Sequence, residues 1–317
     1  MRVFITGATG FAGSHLVRRL LDGGHHLVAL VHPATSHQGL VQHPLVEAVE
    51  GDLLDLASLR AIVSDAAPDV IYHLAGQASP ARSWQDPALT LAVNAGGTAN
   101  LLEAAVHGGR PRVVVVTSAE IYGKVNPREL PLDEESLPRP GHPYGISKWA
   151  ASKLVGVYWQ RYQMPVVEAR PFNHIGPHQA LGFVVADFAS QLAAIKLGKQ
   201  QAIISVGNLT AQRDFTDVRD VAEAYLALAE RGRPGEAYMI CSGRPVAIRQ
   251  LLDTLIELSA VSVDVQNDPN RMRPSDTPCL YGSYEKIRRD TGWQPHIPLR
   301  QSLSDALEDW LARSASG

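Results

Sequence analysis

The chain has 317 residues, 45% of them hydrophobic and 19% charged, which is typical of a globular protein with one large or two closely associated domains. The 29 Lys and Arg residues against 32 Asp and Glu residues give a formal net charge of −3, which argues against nucleic-acid binding and membrane-surface binding. Two cysteines exclude a disulfide framework. Neither a signal-peptide core nor a run of about 20 apolar residues occurs, so we expect a cytoplasmic protein.

The first half of the chain alternates short apolar runs with amphipathic stretches. The predicted strands lie at 3–5, 26–31, 46–50, 70–74, 112–116 and 166–169, and the predicted helices at 14–21, 56–66, 90–105 and 144–162. The run at 112–116 is so uniformly branched that both of its faces should be buried. Strands that alternate with helices in this way predict an α/β fold with a doubly wound parallel sheet.

After Pro171 the regular pattern fades and glycine and proline become frequent. Helices are predicted at 217–230 and 301–313, and a strand at 237–240. The chain from 247 onward is predicted to form a smaller mixed lobe.

Glycines three residues apart lie between the first predicted strand and the first predicted helix, in the run Gly7-Ala8-Thr9-Gly10-Phe11-Ala12-Gly13. Gly7 permits a tight turn, Gly10 lets the backbone approach a pyrophosphate, and Gly13 lets the helix pack closely on the sheet. The free N–H groups of the helix N-terminus favour negative charge. A plain glycine-rich loop is the alternative, but this strand–loop–helix position predicts dinucleotide binding.

The ends of the second and third strands bear on the choice of dinucleotide. The sequence at 30–33 is Leu-Val-His-Pro, without the acidic residue that binds the ribose hydroxyls of NAD. This favours NADP, with His32 as a candidate contact for the 2′-phosphate, although an ordinary surface loop would have the same sequence. Asp52 is predicted to accept from the adenine amino group, whereas Asp55 is better suited to cap the next helix.

Tyr144 and Lys148 are four residues apart and therefore lie one turn from each other on a predicted helix. An ammonium close to a phenol favours the phenolate, so we expect the pKa of Tyr144 to lie below its usual value of about 10. Ser118 ends an apolar strand at the sheet edge where ligands bind, and its hydroxyl can bond the oxygen that Tyr144 protonates. An ordinary surface pair is the alternative for Tyr144 and Lys148, but the glycine loop and Ser118 favour a catalytic group.

These motifs and their order resemble the extended short-chain dehydrogenase/reductases that act on nucleotide sugars. The resemblance rests on the glycine loop and on the segments 73–76 (His-Leu-Ala-Gly), 117–123 (Thr-Ser-Ala-Glu-Ile-Tyr-Gly), 144–148 and 170–173 (Arg-Pro-Phe-Asn). It implies a Rossmann domain with a seven-stranded sheet over 1–170 and about 214–241, and a nucleotide-sugar lobe over 171–213 and 242–317.

The same resemblance implies bound NADP or NAD and a catalytic group of Ser118, Tyr144 and Lys148, with Lys148 also holding the nicotinamide ribose. The further cofactor-lining positions are Gly7, Gly10, Phe11, Ala12, Gly13, His32, Asp52, Leu53, Leu74, Ala75, Gly76, Asn94, Thr117 and Pro171.

The middle of the chain and a later segment carry further distinctive sequence, at 170–177, 179–184, 187–189, 207–209, 213–218 and 271–276. These segments are similar to one group of this family, the bacterial GDP-4-dehydro-6-deoxy-D-mannose reductases. The resemblance implies that Asn173 and Arg213 contact the diphosphate of a GDP-hexose, that Arg273 binds it, and that Asp276 accepts from a ribose hydroxyl. Arginine suits this role because its planar fork binds phosphate bidentately. An ion pair of Arg213 with a neighbouring aspartate and a solvated face for Arg273 are the alternatives. The other predicted substrate contacts are Gln77, Ser118, Glu120, Tyr144, Phe183, Val184 and Asp187.

The implied reaction is the reduction of a C4 ketone by NAD(P)H, with a proton from Tyr144 and GDP-D-rhamnose as the product. GDP-mannose 4,6-dehydratase is the main alternative, because Glu120 stands where dehydratases carry their base. Ala119 argues against a dehydratase, since dehydratases usually have an Asp or a hydroxyl residue at this position and alanine cannot exchange a proton. A 4-epimerase and a redox sensor without turnover are weaker alternatives.

No metal site is predicted, because the twelve histidines show no paired ligand spacing. In relatives the helices corresponding to 90–105 and 144–162 pair two subunits through a four-helix bundle. Leu154, Val157, Tyr158 and Tyr162 follow helical spacing on the second helix. We therefore expect a homodimer, although packing within one chain would produce the same stripe.

Overall fold

The computed structural model describes residues 1–34, 40, 42–271 and 277–316. The strands are β1 (Arg2–Thr6), β2 (His26–Val31), β3 (Val46–Glu50), β4 (Val70–His73), β5 (Arg112–Val116), β6 (Val166–Pro171), β7 (Asn173–Ile175), β8 (Ile203–Val206), β9 (Gln212–Asp217), β10 (Ala237–Ile240), β11 (Pro245–Ala247), β12 (Asp264–Asn267) and β13 (Cys279–Leu280). The helices are α1 (Phe11–Asp22), α2 (Leu56–Ala66), α3 (Pro80–Ser83), α4 (Pro87–Leu91), α5 (Gly97–His107), α6 (Pro143–Tyr162), α7 (Val184–Lys196), α8 (Val218–Arg231), α9 (Ile248–Ser259), α10 (Glu285–Thr291) and α11 (Leu299–Ser316).

The described residues form a seven-stranded parallel sheet with the order β10-β6-β5-β4-β1-β2-β3. The chain proceeds outward from β1 through β2 to β3, and then returns to the other side of β1 for β4, β5, β6 and β10. The point where the strand order reverses therefore lies between β1 and β4, and ligands of such sheets bind at the carboxyl ends of the strands there. The predicted Rossmann fold is confirmed.

Apolar layers cover both faces of this sheet. One core cluster contains buried residues of α1 and α8, including Leu16 and Tyr225. The other contains buried residues of α2, α5 and α6, including Leu59, Leu101 and Val155. Burial on both faces explains the continuous branched sequence of β5, in which alternate valines face opposite clusters.

The C-terminal part of the described chain forms two smaller sheets. Strand β9 pairs with β7, β11 and β13, and β8 pairs with β12. A third apolar cluster lies among α7, α9 and α11, with Leu192, Leu252 and Leu303 fully or almost fully buried. These elements carry β7 and the start of α7 past the carboxyl end of the main sheet.

Several predicted elements have the bounds found in the structure, among them α2, β5 and β10. Asp55 caps α2, and its carboxylate accepts from the Ser58 N–H at 3.1 Å. The predicted helix 90–105 is instead divided into α4, a π-helical turn (Ala92–Gly96) and α5. Helices α7 and α9 were not predicted, although α9 carries leucine and isoleucine at clear helical spacing.

Candidate active site

The glycine loop closes tightly on the ends of β1 and β4. Gly7 has a φ of +77°, and a Cβ there would lie 2.7 Å from the Ala75 nitrogen. A Cβ on Gly13 would overlap the Gly7 carbonyl oxygen, whereas one on Gly10, the N-cap of α1, would lie 3.2 Å from it. Side chains are therefore excluded where the first turn of α1 meets the sheet, and the backbone amides form a cradle suited to a pyrophosphate.

The structure also describes four other predicted cofactor residues. Phe11 stacks on His174 with ring centroids 5.7 Å apart. Ala12 is half-buried in the first turn of α1, and Leu74 follows β4 against the core on the same side. Leu53 is buried against Gly97, where a Cβ would lie 3.0 Å from the Leu53 Cβ.

A chain of hydrogen bonds runs from the end of β1 to the π-helical turn. Thr98 Oγ1 donates to the Asn94 carbonyl at 2.6 Å, so it must accept from His73 Nε2 at 2.9 Å. His73 Nδ1 therefore accepts from Thr6 Oγ1 at 2.8 Å, and Thr6 Oγ1 accepts from the Ala75 N–H at 3.2 Å. Complete burial lowers the pKa of His73 to about 3, so this imidazole stays neutral and keeps the direction of the chain.

Asn94 joins this chain of hydrogen bonds to α6, the helix that carries Tyr144 and Lys148. Its Nδ2 donates to the Gln77 carbonyl at 3.0 Å and to Ser147 Oγ at 2.9 Å, and its Oδ1 accepts from the Gln77 N–H at 2.8 Å. Ser147 Oγ in turn donates to the Tyr144 carbonyl at 2.7 Å. The π-helical turn thus places an amide where it fixes the start of α6 relative to β4.

Tyr144 and Ser118 meet in the site, as the sequence predicted. The two hydroxyls are hydrogen-bonded, and both residues are buried. Ser118 lies two residues beyond the end of β5, where it caps a short 3-10 helix (Ala119–Tyr122). Glu120 therefore belongs to this helix and does not continue the strand.

The predicted direction of the Tyr144 pKa is wrong. Burial raises the pKa of Tyr144 to about 12, the hydrogen bond from Ser118 opposes this rise, and the Glu120 carboxylate adds to it. Lys148 does not acidify the phenol because its ammonium is directed to the main chain, where it donates to the Val116 carbonyl at 2.9 Å. The phenol is consequently protonated at neutral pH.

Lys148 lies between β5 and the segment that follows β4. A Cβ on Gly76 would lie 3.6 Å from the Lys148 ammonium and 2.6 Å from Asn94 Oδ1. Burial lowers the pKa of Lys148 to about 8, and the Glu168 carboxylate opposes that change. Because Gly76 adjoins Ala75, which contacts Gly7, the ammonium and the glycine cradle share one crevice.

A buried ion pair lies beneath these groups on β6. The Arg170 guanidinium binds the Glu168 carboxylate bidentately, with both N–O distances 2.9 Å. The same carboxylate accepts from Thr117 Oγ1 at 2.5 Å and from Ser152 Oγ at 2.9 Å. Thr117 directly precedes Ser118, and Ser152 follows Lys148 by one turn. The ion pair therefore fixes both sides of the predicted catalytic group.

Three predicted contacts have side chains engaged within the protein. The Thr117 hydroxyl is turned to Glu168, away from the crevice. The Gln77 amide bonds Ser79 and the Thr90 hydroxyl, so its role as a substrate contact would require these bonds to break. Asp52 accepts from the Leu54 N–H at 2.9 Å and lies 3.7 Å from His32 Nε2. Pro171 ends β6 at the carboxyl edge of the sheet.

The predicted substrate residues extend from this edge towards the smaller sheets. Asn173, on β7, donates to the Asp214 carbonyl at 3.3 Å. Arg213, on β9, donates to the Gln212 and Thr277 carbonyls. The alternative role for Arg213 was an ion pair with a neighbouring aspartate. One of these, Asp217, already has a cationic partner, because its carboxylate accepts from Arg219 at 2.8 Å.

The start of α7 contributes the remaining described substrate residues. Phe183 precedes the helix and is 40% exposed, and Val184 begins it. Asp187 accepts from the Gly182 N–H at 2.8 Å and lies 3.7 Å from Arg271. Arg273 and Asp276 lie outside the described residues.

Sequence reasoning missed four residues that hold the site: His142, Ser147, Ser152 and Glu168. A signal for Glu168 was present, because an acid and an arginine two residues apart lie on one face of an otherwise apolar strand. The role of His142 was harder to predict from sequence, because histidine is not among the residues preferred at a helix N-cap. Within the described residues, no group of three or more His, Cys, Asp or Glu side chains could hold a metal ion. No described helix is long and apolar enough to cross a membrane.

Comparison with known proteins agrees with this geometry. Residues 4–306 match the family model described as GDP-mannose 4,6-dehydratase. The chain is 38% identical over 313 residues to GDP-6-deoxy-D-mannose reductase of Pseudomonas aeruginosa, covering 98% of both chains. It is 27% identical over 342 residues to GDP-mannose 4,6-dehydratase of Sinorhizobium fredii, covering 97% of this chain and 96% of the relative. The solved structure of RMD from Pseudomonas aeruginosa complexed with NADPH superposes with a TM-score of 0.86 at 36% identity, covering 99% of this chain and all of the other.

Replacing Arg170 with leucine should destabilise the protein strongly, because it leaves the buried Glu168 carboxylate without its cation. We expect the free energy of unfolding, measured by denaturant titration, to fall by about 3–5 kcal/mol. R300L is the control, since Arg300 also binds a carboxylate bidentately, that of Glu257, but on the exposed surface. Equal losses of stability in R170L and R300L would contradict the role given to the buried pair.

Proposed function

This chain belongs to the GDP-mannose 4,6-dehydratase family of extended short-chain dehydrogenase/reductases, and on that premise we propose that it reduces a sugar ketone. The proposed substrate is GDP-4-dehydro-6-deoxy-D-mannose and the proposed product is GDP-6-deoxy-D-mannose (GDP-D-rhamnose). The 38% identity to a GDP-6-deoxy-D-mannose reductase over almost the whole of both chains supports this choice.

The geometry that carries the proposal is the position of the Tyr144 phenol beside Ser118, in the crevice that contains Lys148 and the glycine cradle. A reductase needs a proton donor at the ketone oxygen, and burial keeps Tyr144 in the protonated form at neutral pH. The same phenol would serve a dehydratase, so the choice of the reductase rests on the 38% identity to a GDP-6-deoxy-D-mannose reductase.

The groups of the crevice then have distinct tasks. NAD(P)H, when bound, supplies the hydride that the ketone carbon receives. Tyr144 donates its proton to the developing alkoxide, and the Ser118 hydroxyl stabilises that oxygen by a hydrogen bond. Lys148 donates to the Val116 carbonyl and adjoins Gly76, so its ammonium is placed to hold the nicotinamide ribose.

The residues of the glycine loop fit a dinucleotide, because Gly7, Gly10 and Gly13 leave backbone amides open where a Cβ would fill the cradle. We propose NADPH as the preferred form, since β2 ends at Val31 without an acid for the ribose hydroxyls. The NADPH complex of the Pseudomonas aeruginosa protein supports this preference. A cytoplasmic location stays a prediction.

We also propose the division into a cofactor domain and a nucleotide-sugar lobe. The main sheet supports a cofactor domain that includes β10, and the cluster among α7, α9 and α11 supports the lobe. Because β9 pairs only within the small sheet in the described chain, the return to the cofactor domain is better placed at the start of α8, residue 218, than at 214.

Two substrates distinguish the reductase from the dehydratase. We expect no 4-keto product from GDP-mannose with the purified protein alone, and oxidation of NADPH when GDP-4-dehydro-6-deoxy-D-mannose is supplied. Y144F should reduce turnover by at least about a hundredfold, the scale of a general acid, without a change in melting temperature. Formation of the 4-keto sugar from GDP-mannose would instead identify a dehydratase, and near-normal rates in Y144F would show that the proton comes from elsewhere.

The rate of the reduction should fall in alkaline solution as Lys148 loses its charge. The pKa of Lys148 is lowered to about 8, so its ammonium is present below that pH and lost above it. We expect kcat/KM for NADPH, which reports the free enzyme, to fall as the pH rises through about 8. K148R keeps its charge and should react more slowly but without this decline. An unchanged decline in K148R would assign it to another group.

We propose that the chain forms a homodimer through α6. The stripe predicted on this helix is only partly available for pairing, because Leu154, Tyr158 and Tyr162 pack against the core of the same chain and Val157 is exposed.

The exposed apolar face of α6 continues onto the adjacent α4. Ile146 and Val157 lie three turns apart on α6 and are about half exposed, and Leu89 is similarly exposed on α4. A face of two packed helices can pair with its own copy about a twofold axis as a four-helix bundle, which buries these three side chains.

A charge at the centre of this face should separate the subunits. We expect V157E to have half the mass of the natural protein in sedimentation experiments, because an unpaired carboxylate would be buried in the interface. L137E places the same charge on an exposed leucine outside α4 and α6 and should remain dimeric. A natural protein that is monomeric at micromolar concentration would exclude the dimer.

A further inference from the structure

A histidine and a glutamate form a pair at the start of α6, beside the catalytic tyrosine. His142 is the N-cap of the helix, and its Nδ1 accepts from the Gly145 N–H at 3.0 Å. A ring nitrogen that accepts carries no proton, so the proton lies on Nε2. Nε2 is 3.0 Å from Glu120 Oε2 and therefore donates to that carboxylate.

The helix cap thus decides the tautomer of His142 and makes it a fixed donor to Glu120. The same ring stacks on Tyr144, with centroids 6.0 Å apart and planes at 12°. A Cβ on Gly145 would lie 2.7 Å from the Glu120 carbonyl oxygen, so the start of α6 rests directly on the Glu120 backbone. The imidazole and the helix together leave the carboxylate little freedom.

Glu120 is also tied to the other catalytic hydroxyl. Its N–H donates to Ser118 Oγ at 3.1 Å, and Ser118 is bonded to Tyr144. Ser118, Glu120, His142 and Tyr144 therefore form a closed ring of contacts, in which hydrogen bonds join all neighbours except His142 and Tyr144, whose rings stack. The Glu120 side chain is 33% exposed and that of His142 only 13%. The carboxylate therefore lies on the solvent side of this ring of contacts, and the imidazole lies behind it.

We propose that His142 is a positioning residue that holds the Glu120 carboxylate as a hydrogen-bond acceptor for the sugar hydroxyl next to the ketone carbon. The inference rests on the proposed function, in which Ser118 and Tyr144 bind the ketone oxygen. A ring carbon beside that ketone carries a hydroxyl, and an ionised carboxylate is the strongest acceptor a side chain can offer it.

The alternative use of Glu120 is to remove a proton from carbon, as a dehydratase base would. Donation from His142 Nε2 opposes this use, because a hydrogen bond to the charged form stabilises the carboxylate and weakens it as a base. The arrangement therefore suits recognition of the sugar and adds specificity to a site whose chemistry is supplied by Tyr144.

The test measures binding of the sugar separately from binding of the nucleotide. H142N keeps a good N-cap but is too short to cap the helix and also reach Glu120. With NADP⁺ present, so that no hydride can be transferred, calorimetry gives the Kd of GDP-4-dehydro-6-deoxy-D-mannose and of GDP. We expect both H142N and E120A to raise the Kd of the sugar nucleotide about tenfold or more, the scale of one hydrogen bond to a charged group, with the Kd of GDP unchanged.

A double-mutant cycle tells positioning through Glu120 from a purely structural role. If His142 acts through the carboxylate, H142N combined with E120A should bind the sugar nucleotide no more weakly than E120A alone. Additive losses, or equal losses for GDP and the sugar nucleotide, would overturn the proposal. H107N is the matched control, because His107 pairs with Glu103 on the exposed end of α5 and should leave both Kd values unchanged.

Turnover supplies a second, independent readout. In H142N we expect KM for the ketone sugar to rise about tenfold with kcat changed much less, since the lost contact is made in the ground state as well as the transition state. A fall in kcat with an unchanged KM would place His142 in the proton transfer and refute the proposal. If H142N does not fold, E120A alone tests the proposal. An E120A protein with unaltered affinity for the sugar nucleotide would overturn the proposal. A natural protein that binds the sugar nucleotide but never oxidises NADPH would refute the proposed function and not this inference.

Discussion

The buried carboxylate of Glu168 is the interaction on which the rest of the site depends. It is almost inaccessible to water, and its cost of burial is offset by the bidentate bond from Arg170 and by two hydroxyls. Those hydroxyls belong to Thr117, which directly precedes Ser118, and to Ser152, which lies one turn after Lys148 on α6. One charge therefore aligns a strand end, a helix and the neighbouring strand β6, and it also opposes the loss of the proton from Lys148.

A phenol of raised pKa can still serve as an acid, because the protonated form is the one that donates. Burial raises the pKa of Tyr144 to about 12, and the Glu120 carboxylate adds to this rise, so the hydroxyl keeps its proton at neutral pH. The alkoxide that develops when the ketone carbon receives hydride is a much stronger base than the ketone oxygen. The proton therefore moves from Tyr144 as that negative charge develops, which is in the transition state more than in the ground state.

Local sequence patterns predicted the parts of this site that local structure determines. The glycine spacing specified a turn between β1 and α1, and the four-residue separation of Tyr144 and Lys148 placed both on one helix face. The direction of the Tyr144 pKa could not be predicted, because it depends on burial and on a main-chain carbonyl that Lys148 reaches only in the folded chain. The engagement of Gln77 and the π-helical turn at Asn94 likewise follow from contacts between segments that are distant in sequence.

The frame that binds cofactor and proton donor is shared across a family whose members reduce, dehydrate or epimerise sugars, so it cannot by itself decide the reaction. The chain of hydrogen bonds through His73 and Asn94 belongs to that frame, because it ties the cradle of Gly7 to the start of α6. What remains to set the outcome are the residues that follow Ser118. Ala119 offers no proton there, and Glu120 is engaged by an imidazole whose tautomer the helix cap determines. The proposed role of Glu120 thus follows from hydrogen-bond direction at the start of α6, since the same carboxylate is a base when unbonded and an acceptor when a donor holds it.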